Sequence, residues 1–160
     1  ALDAAAFAVA LSRERDTLKR VLTDPRIFSG IGNSYSDEIL HSARMSPVSL
    51  TRSLDADAAQ RLLDTAREVM TEWTERLREE ASGHAGWPKK VTAFHPQMAV
   101  HGRYGEPCPV CSTKVQRILR ADNETNYCPR CQTGGKLLAD RALSKLLHAS
   151  WPKHIDDIDP

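Results

Sequence analysis

The sequence has 160 residues, with 22 Lys or Arg against 21 Asp or Glu and a formal net charge of +1. This balance excludes binding to a polyanion through overall charge, so any nucleic-acid surface has to be a local patch. No apolar run approaches the ~20 residues of a membrane helix. No basic region precedes the apolar start ALDAAAFAVALSRERD, so a cytoplasmic protein with no membrane partner and no secretory leader is expected. With Ala1 at the start, a fragment of a longer protein is the leading expectation and a processed protein the alternative.

In chain order, residues 2–11 are predicted as a short helix. Residues 13–23 form a second, with Leu18, Val21 and Leu22 as its stripe, Ser12 as its cap and Pro25 as its stop. A third helix is predicted over 34–44. There Ser34 and Asp37 have capping-box spacing, Ile39, Leu40 and Ala43 form the core face, and Pro47 closes the segment. Residues 55–82 give the clearest periodicity, through Leu62, Leu63, Ala66, Val69, Met70, Trp73 and Leu77. SGHAGWPKK (82–90) reads as a mobile loop and MAVHGRYGEP (98–107) as a turn-rich approach. A last helix is predicted over 136–149 through Leu138, Leu143, Leu146 and Leu147, before a frayed end, HIDDIDP. The fold class is mainly α: a helical domain (1–97), a cysteine hairpin (98–135) and a C-terminal helical tail (136–160). His84, His95 and His101 read as loop or ribbon residues and Trp73 as core.

Cys108, Cys111, Cys128 and Cys131 fall as C-x2-C, sixteen residues, C-x2-C. Each pair sits on a tight turn that aims two thiolates at one point, and the gap is long enough for a hairpin that completes a tetrahedron. One structural Zn2+ is the leading reading, against a redox dithiol or disulfide pair. Four cysteine ligands leave no position for a catalytic water. The zinc holds a hairpin too small for a core of its own. Residues 102–136 carry six basic side chains (103, 114, 117, 120, 130, 136) against three acidic ones (106, 122, 124), with Tyr104 and Tyr127 interleaved. That balance suits a phosphate-binding face, and it equally suits a solvated ribbon that clamps another protein.

In GIGNSYS (30–36), Gly30 and Gly32 permit positive φ and close backbone approach just before a helix. The helix N-terminus presents free N–H groups and a positive dipole end, an anion site suited to a backbone phosphate. The Asn33 amide can donate to that phosphate, and Lys19 on the preceding helix can add a charge. Read alone, a glycine turn with an asparagine cap accounts for the same residues.

The order helix, GIGNSYSDEILHSARMSP, long amphipathic helix, VHGRYGEPCPVC, YCPRCQ resembles the carboxy-terminal half of the formamidopyrimidine-DNA glycosylase / endonuclease VIII family. The resemblance implies a helix-two-turn-helix domain and a zinc-ribbon hairpin that grip double-stranded DNA beside a damaged or abasic nucleotide. It places Asn33 and Lys19 at the family's phosphate-contacting positions. Gly30, Gly32, Ser34, Arg103, Lys114, Arg117, Arg120 and Asn123 complete the expected DNA contacts. It also implies a monomeric base-excision-repair glycosylase/AP lyase. The family's chemistry is base flipping, attack on the sugar by an amino-terminal proline amine, a Schiff base, and β- and δ-elimination. That proline, its glutamate partner and their β-sandwich have no counterpart in these residues. No catalytic residue is therefore assigned, and a missing amino-terminal catalytic domain is the expected companion. The alternative is a stand-alone zinc-ribbon protein that binds DNA, or RNA, without cutting it.

Two departures matter. The family's finger carries an arginine five residues before the third cysteine, whereas Asn123 stands there between Asp122 and Glu124. The tip is thus acidic, and either Arg120 or Arg117 replaces that contact or lesion recognition differs. A further 29 residues follow Cys131, where many family members stop. Trp87 falls in the loop that the resemblance matches to the family's lesion-covering loop.

Overall fold

The computed structural model describes residues 3–83, 94–121, 123–139 and 141–158; the segment holding His84 and Trp87 lies outside them. Helix α1 (Ala4–Arg13) begins where the Asp3 carboxylate accepts the Ala6 N–H at 2.7 Å. Ser12 lies inside α1 and its hydroxyl donates to the Val9 carbonyl, so it does not cap the next helix. Helix α2 (Leu18–Thr23) is shorter than the expected 13–23. Residues 16–18 are held extended by pairing with 49–51: Thr17 bridges Leu50, and the Thr51 and Leu18 N–H groups bond the Asp16 and Ser49 carbonyls.

Helix α3 (Asn33–Ser42) has Gly32 at its N-cap and no side-chain cap, so the expected Ser34–Asp37 capping box is absent. Asp37 is drawn inward by partners on other elements, and Ser34 is buried. The helix stops at Ser42, short of the expected Arg44. Arg44 turns left-handed (φ 56°) and the Met45 N–H returns to the Leu40 carbonyl at 3.0 Å. Helix α4 (Ala56–Ser82) follows the predicted span, and the Asp55 carboxylate caps it by accepting from Ala58 N–H at 2.7 Å. Its buried stripe ends at Trp73, and Leu77, predicted as core, is 42% exposed. Phe7, Leu11, Leu18, Leu22, Ile39, Leu40, Leu62 and Trp73 share one core, closed by Met98 at the approach to the finger.

Strands β1 (Gln116–Arg120) and β2 (Asn123–Tyr127) pair antiparallel, from Gln116 opposite Tyr127 to Arg120 opposite Asn123. A one-turn helix α5 (Pro129–Gln132) carries the last cysteine. The finger has its own small cluster, Val100, Val115, Cys108 and Cys128. Tyr127, read as part of a basic, aromatic face, is 1% exposed, and its hydroxyl accepts the Leu138 N–H at 2.8 Å.

The tail departs from the expected single helix. Helix α6 covers only Arg141–Leu147, and Leu146 is 76% exposed. Residues 154–158 are not frayed. The Leu137 N–H donates to the Lys153 carbonyl, the Ile155 N–H to the Gly135 carbonyl, and Ile155 is fully buried. His154 and Asp157 form a capping box over the turn Ile155–Asp157, and Arg130 pairs with Asp156 at 2.5 Å. Gly135 is required here: its φ is +87°, and a Cβ would meet the His154 ring. Backbone pairing plus one apolar anchor holds a segment that its composition marks as solvated.

The finger is seated on α3 by two adjacent carboxylates. Glu38 accepts the Ala99, Val100 and His101 N–H groups at 2.7, 3.0 and 3.0 Å. Asp37 accepts from Lys19 at 2.6 Å, from the Asn126 N–H at 3.2 Å, and pairs with His101 Nδ1 at 2.8 Å. His101, expected in a loop, is therefore a buried partner of α3. Glu38→Ala strands three backbone donors and is expected to lower unfolding stability by at least ~3 kcal/mol. Glu68→Ala, on the exposed face of α4, should stay within ~0.5 kcal/mol in the same denaturant titration.

Candidate nucleic-acid interface and metal centre

The four cysteine sulfurs all lie within 4.8 Å of one another. Pairwise separations are 3.4 Å (Cys111–Cys128), 3.6 Å (Cys111–Cys131) and 3.9 Å (Cys108–Cys131). A tetrahedron with Zn–S bonds of ~2.3 Å places sulfurs about 3.8 Å apart, so the donor set fits one structural zinc ion. The first pair is held by the Ser112 N–H on the Cys108 carbonyl at 2.8 Å, and the second by the α5 turn. Burial pushes Cys128 up, and Cys131 up to about 11. Burial also raises Cys111, but hydrogen bonds from Thr113 and the neighbouring thiols outweigh it and hold Cys111 at about 6. Thiols this close resist joint ionisation, and a divalent cation removes that conflict.

A cavity of about 500 Å3 separates α2 and the start of α3 from the hairpin. Lys19, Asn33, Arg120 and Asn123 line it, together with Arg20 and Thr125. The uncapped N-terminus of α3 stands at its wall, with the first-turn N–H groups lacking intrahelical partners. Of the two glycines, Gly30 has positive φ (95°) while Gly32 is extended. A Cβ on either would meet nothing within 4 Å, so both leave open approach to the backbone.

The expected contacts divide into two groups. Lys19 is nearly buried and directs its ammonium to Asn33 O, Ser36 Oγ and Asp37 Oδ1 at 2.6–2.7 Å. Its pKa is lowered by burial against the opposing pull of Asp37. The Asn33 Nδ2 donates to the Glu124 carbonyl at 3.1 Å, which joins α3 to β2. An amide nitrogen has two protons, so one remains for a ligand. Arg120 is exposed and has no partner among the described residues, and Asn123 stands opposite it. Ser34 lies buried behind the helix mouth. Arg103, Lys114 and Arg117 do not line the cavity. Arg103 bonds Glu106 and the Pro96 carbonyl, and Arg117 stacks on Tyr104 at 4.2 Å and faces Glu124 at 3.5 Å. The cavity also holds Arg20, which sequence reasoning missed; its signal was its place beside Lys19, off the Leu18–Val21–Leu22 stripe.

A helical unit joined to a four-cysteine ribbon, with a cation-bearing cavity between them, defines a zinc-ribbon module. Residues 1–82 match the family "Formamidopyrimidine-DNA glycosylase H2TH domain" and residues 105–134 "Zinc finger found in FPG and IleRS". An uncharacterized formamidopyrimidine-DNA glycosylase-like protein of Mycobacterium tuberculosis is 39% identical over 130 residues, 81% of this chain and 79% of that protein. A formamidopyrimidine-DNA glycosylase of Thermus thermophilus is 38% identical over 134 residues, 81% of this chain and 49% of that protein. The crystal structure of the MutM (Fpg) protein from that organism superposes with TM-score 0.63 at 33% identity, covering 82% of this chain and 50% of the other. Lactococcus lactis Fpg, non-covalently bound to DNA containing an AP site, gives TM-score 0.63 at 26% identity over 82% and 47%. The chain belongs to the formamidopyrimidine-DNA glycosylase family and spans about half the length of the Thermus and Lactococcus glycosylases.

Metal removal should release the finger before the helices, because the finger's own cluster is four residues. Tyr127 reports it: burial holds its phenol up at about 12. A raised phenol pKa means the fold favours the neutral form. This stabilisation is complete below the unfolded value of ~10 and is lost as pH rises from there to about 12. In an alkaline titration by tyrosinate absorbance, besides Tyr35, whose phenol burial also raises, the zinc-loaded protein should show Tyr127 as a late tyrosine. Chelation should bring it into the ordinary range while helical ellipticity persists. A late Tyr127 unmoved by chelation would contradict structural zinc.

Proposed function

We propose that this chain is the DNA-gripping part of a formamidopyrimidine-type DNA glycosylase/AP lyase. It holds backbone phosphates of double-stranded DNA around a damaged or abasic nucleotide, and catalytic groups come from a domain outside these 160 residues. The supporting observation is the cavity where the open α3 N-terminus and Asn33 face Arg120 and Asn123. A helix mouth and an amide supply directed hydrogen bonds to phosphate, and Arg20 and Arg120 supply charge. With Arg117 engaged by Tyr104 and Glu124, Arg120 is the residue that stands in for the family's finger arginine. Lys19 acts from behind the surface, positioning the first turn of α3 through the Asn33 carbonyl and adding its field to the site. All these residues come from one copy, which suits a monomer; its proposed place is the cytoplasm, on the nucleoid if the source is bacterial.

A second reading is favoured by the M. tuberculosis relative, whose aligned region covers nearly equal shares of both proteins. On this second reading the chain is a stand-alone module that binds DNA, or RNA, without cutting it.

The test is DNA affinity across a salt series, using the full chain and duplexes with and without an abasic analogue. Arg120→Ala should lower the slope of log K against log salt by about one unit. Asn33→Ala should weaken binding about tenfold on both duplexes with the slope unchanged, because a neutral amide displaces no counterion. Arg117→Ala should change both less than Arg120→Ala. Unaltered affinity in Arg120→Ala and Asn33→Ala proteins that remain folded would sink the proposed interface, and tighter binding to duplex RNA would move it to another nucleic acid.

A further inference from the structure

His41 sits on α3 two helical turns beyond Asn33, is 6% exposed, and places its Nε2 3.2 Å from the Cys108 sulfur. A second strut lies beside it. Gln132, next to Cys131, donates from Nε2 to the Met45 carbonyl at 3.0 Å and accepts the Cys128 N–H on Oε1 at 2.8 Å. The cysteine centre is thus tied to α3 and the turn that follows it by side chains that are not ligands.

We propose that His41 is a positioning residue of the zinc centre, whose Nε2–H hydrogen-bonds the Cys108 thiolate and fastens the metal to α3. The chemistry supports one direction of donation. A metal-bound cysteine sulfur has no proton and can only accept, so a contact at this distance requires the imidazole proton on Nε2. A donor to a ligating sulfur withdraws charge from it, fixes its lone pairs and opposes its departure from the metal. Because the ring is carried by α3, the metal stabilises the seating of the finger on that helix as well as the finger itself. The inference stands on the zinc centre and is independent of what the cavity binds.

The experiment uses the full zinc-loaded chain and an excess of a chromophoric chelator. His41→Phe keeps a flat ring without the N–H, and His41→Gln restores an amide N–H near the same place. His41→Phe should release zinc at least about tenfold faster than the parent, with His41→Gln nearer the parent. In the Co2+-substituted protein, the thiolate-to-metal charge-transfer bands should move to lower energy in His41→Phe and stay in place in His41→Gln. Equal release rates with superimposable bands in the parent and His41→Phe would overturn the proposal. Should His41→Phe fail to fold, the unmutated protein decides. Long-range 1H–15N spectra of the zinc-loaded chain show which ring nitrogen of His41 carries the proton, and a proton on Nδ1 alone overturns it.

Discussion

Two adjacent carboxylates on α3 hold the molecule together. Residues 37 and 38 point about 100° apart around a helix, so one faces α2 and the hairpin while the other faces the approach to the finger. Asp37 is 1% exposed and Glu38 6%, and buried charges of this kind persist only where partners replace lost hydration. Glu38 finds three consecutive backbone N–H groups, and Asp37 finds Lys19, His101 and the Asn126 N–H. Apolar contact between these layers is modest, since the finger's cluster is separate from the helical core. Directional polar bonds therefore fix the angle at which the hairpin stands over α3, and that angle sets the width of the cavity.

Zinc complements this arrangement from the other end. The carboxylates grip residues 99–101 and 126, while the cysteines close residues 108–131 into a ring around one ion. Neither device suffices alone. Without metal, the finger has one apolar cluster of four residues to oppose the entropy of some thirty ordered ones. Without the carboxylates, a metal-closed ribbon would keep the Asn33, His41 and Gln132 contacts but lose the bonds that hold residues 99–101 and 126 on α3. The tail adds a third restraint, through the Tyr127 hydroxyl and the Arg130–Asp156 pair.

What was legible in the sequence was local. The span of α4 follows from its apolar repeat, and the metal centre from the spacing of Cys108, Cys111, Cys128 and Cys131, because neighbours in the chain determine both. Asn33, Arg120 and Asn123 were found through motifs that keep their order, and the fold brings them to one cavity. The pairing roles of Asp37 and Glu38 were not legible. Their partners on the finger lie 61 to 89 residues away along the chain, and a helical pattern assigns two consecutive acids to solvent or to a cap. The same limit hid the tail, where His154 and Ile155 are ordered by backbone groups of residues 135 and 136 rather than by any periodicity of their own. Lys19 was legible as a cation near the glycine turn. That its protons are directed inward depends on Ser36 and Asp37 being rotated beneath it.

The distribution of charge follows from these bonds. Among the described residues the cavity is lined by three cations, Lys19, Arg20 and Arg120, and Lys19 is buried against Asp37. Arg103, Arg117 and Arg130 are each paired with an acid of the finger or tail. Arg120 remains on one wall of the cavity, and Arg20, held by a solvent-exposed pair with Asp16, stands on the other. The α3 N-terminus lies between them. In the proposed interface, selectivity for a backbone phosphate then rests on geometry more than on field strength, through N–H groups and an amide whose position the fold dictates. Half of that geometry belongs to the finger: Asn33 is oriented by the Glu124 carbonyl of β2, and Arg120 is carried by β1. The zinc ion, none of whose cysteine ligands lines the cavity, therefore governs that grip through the two strands it holds in place.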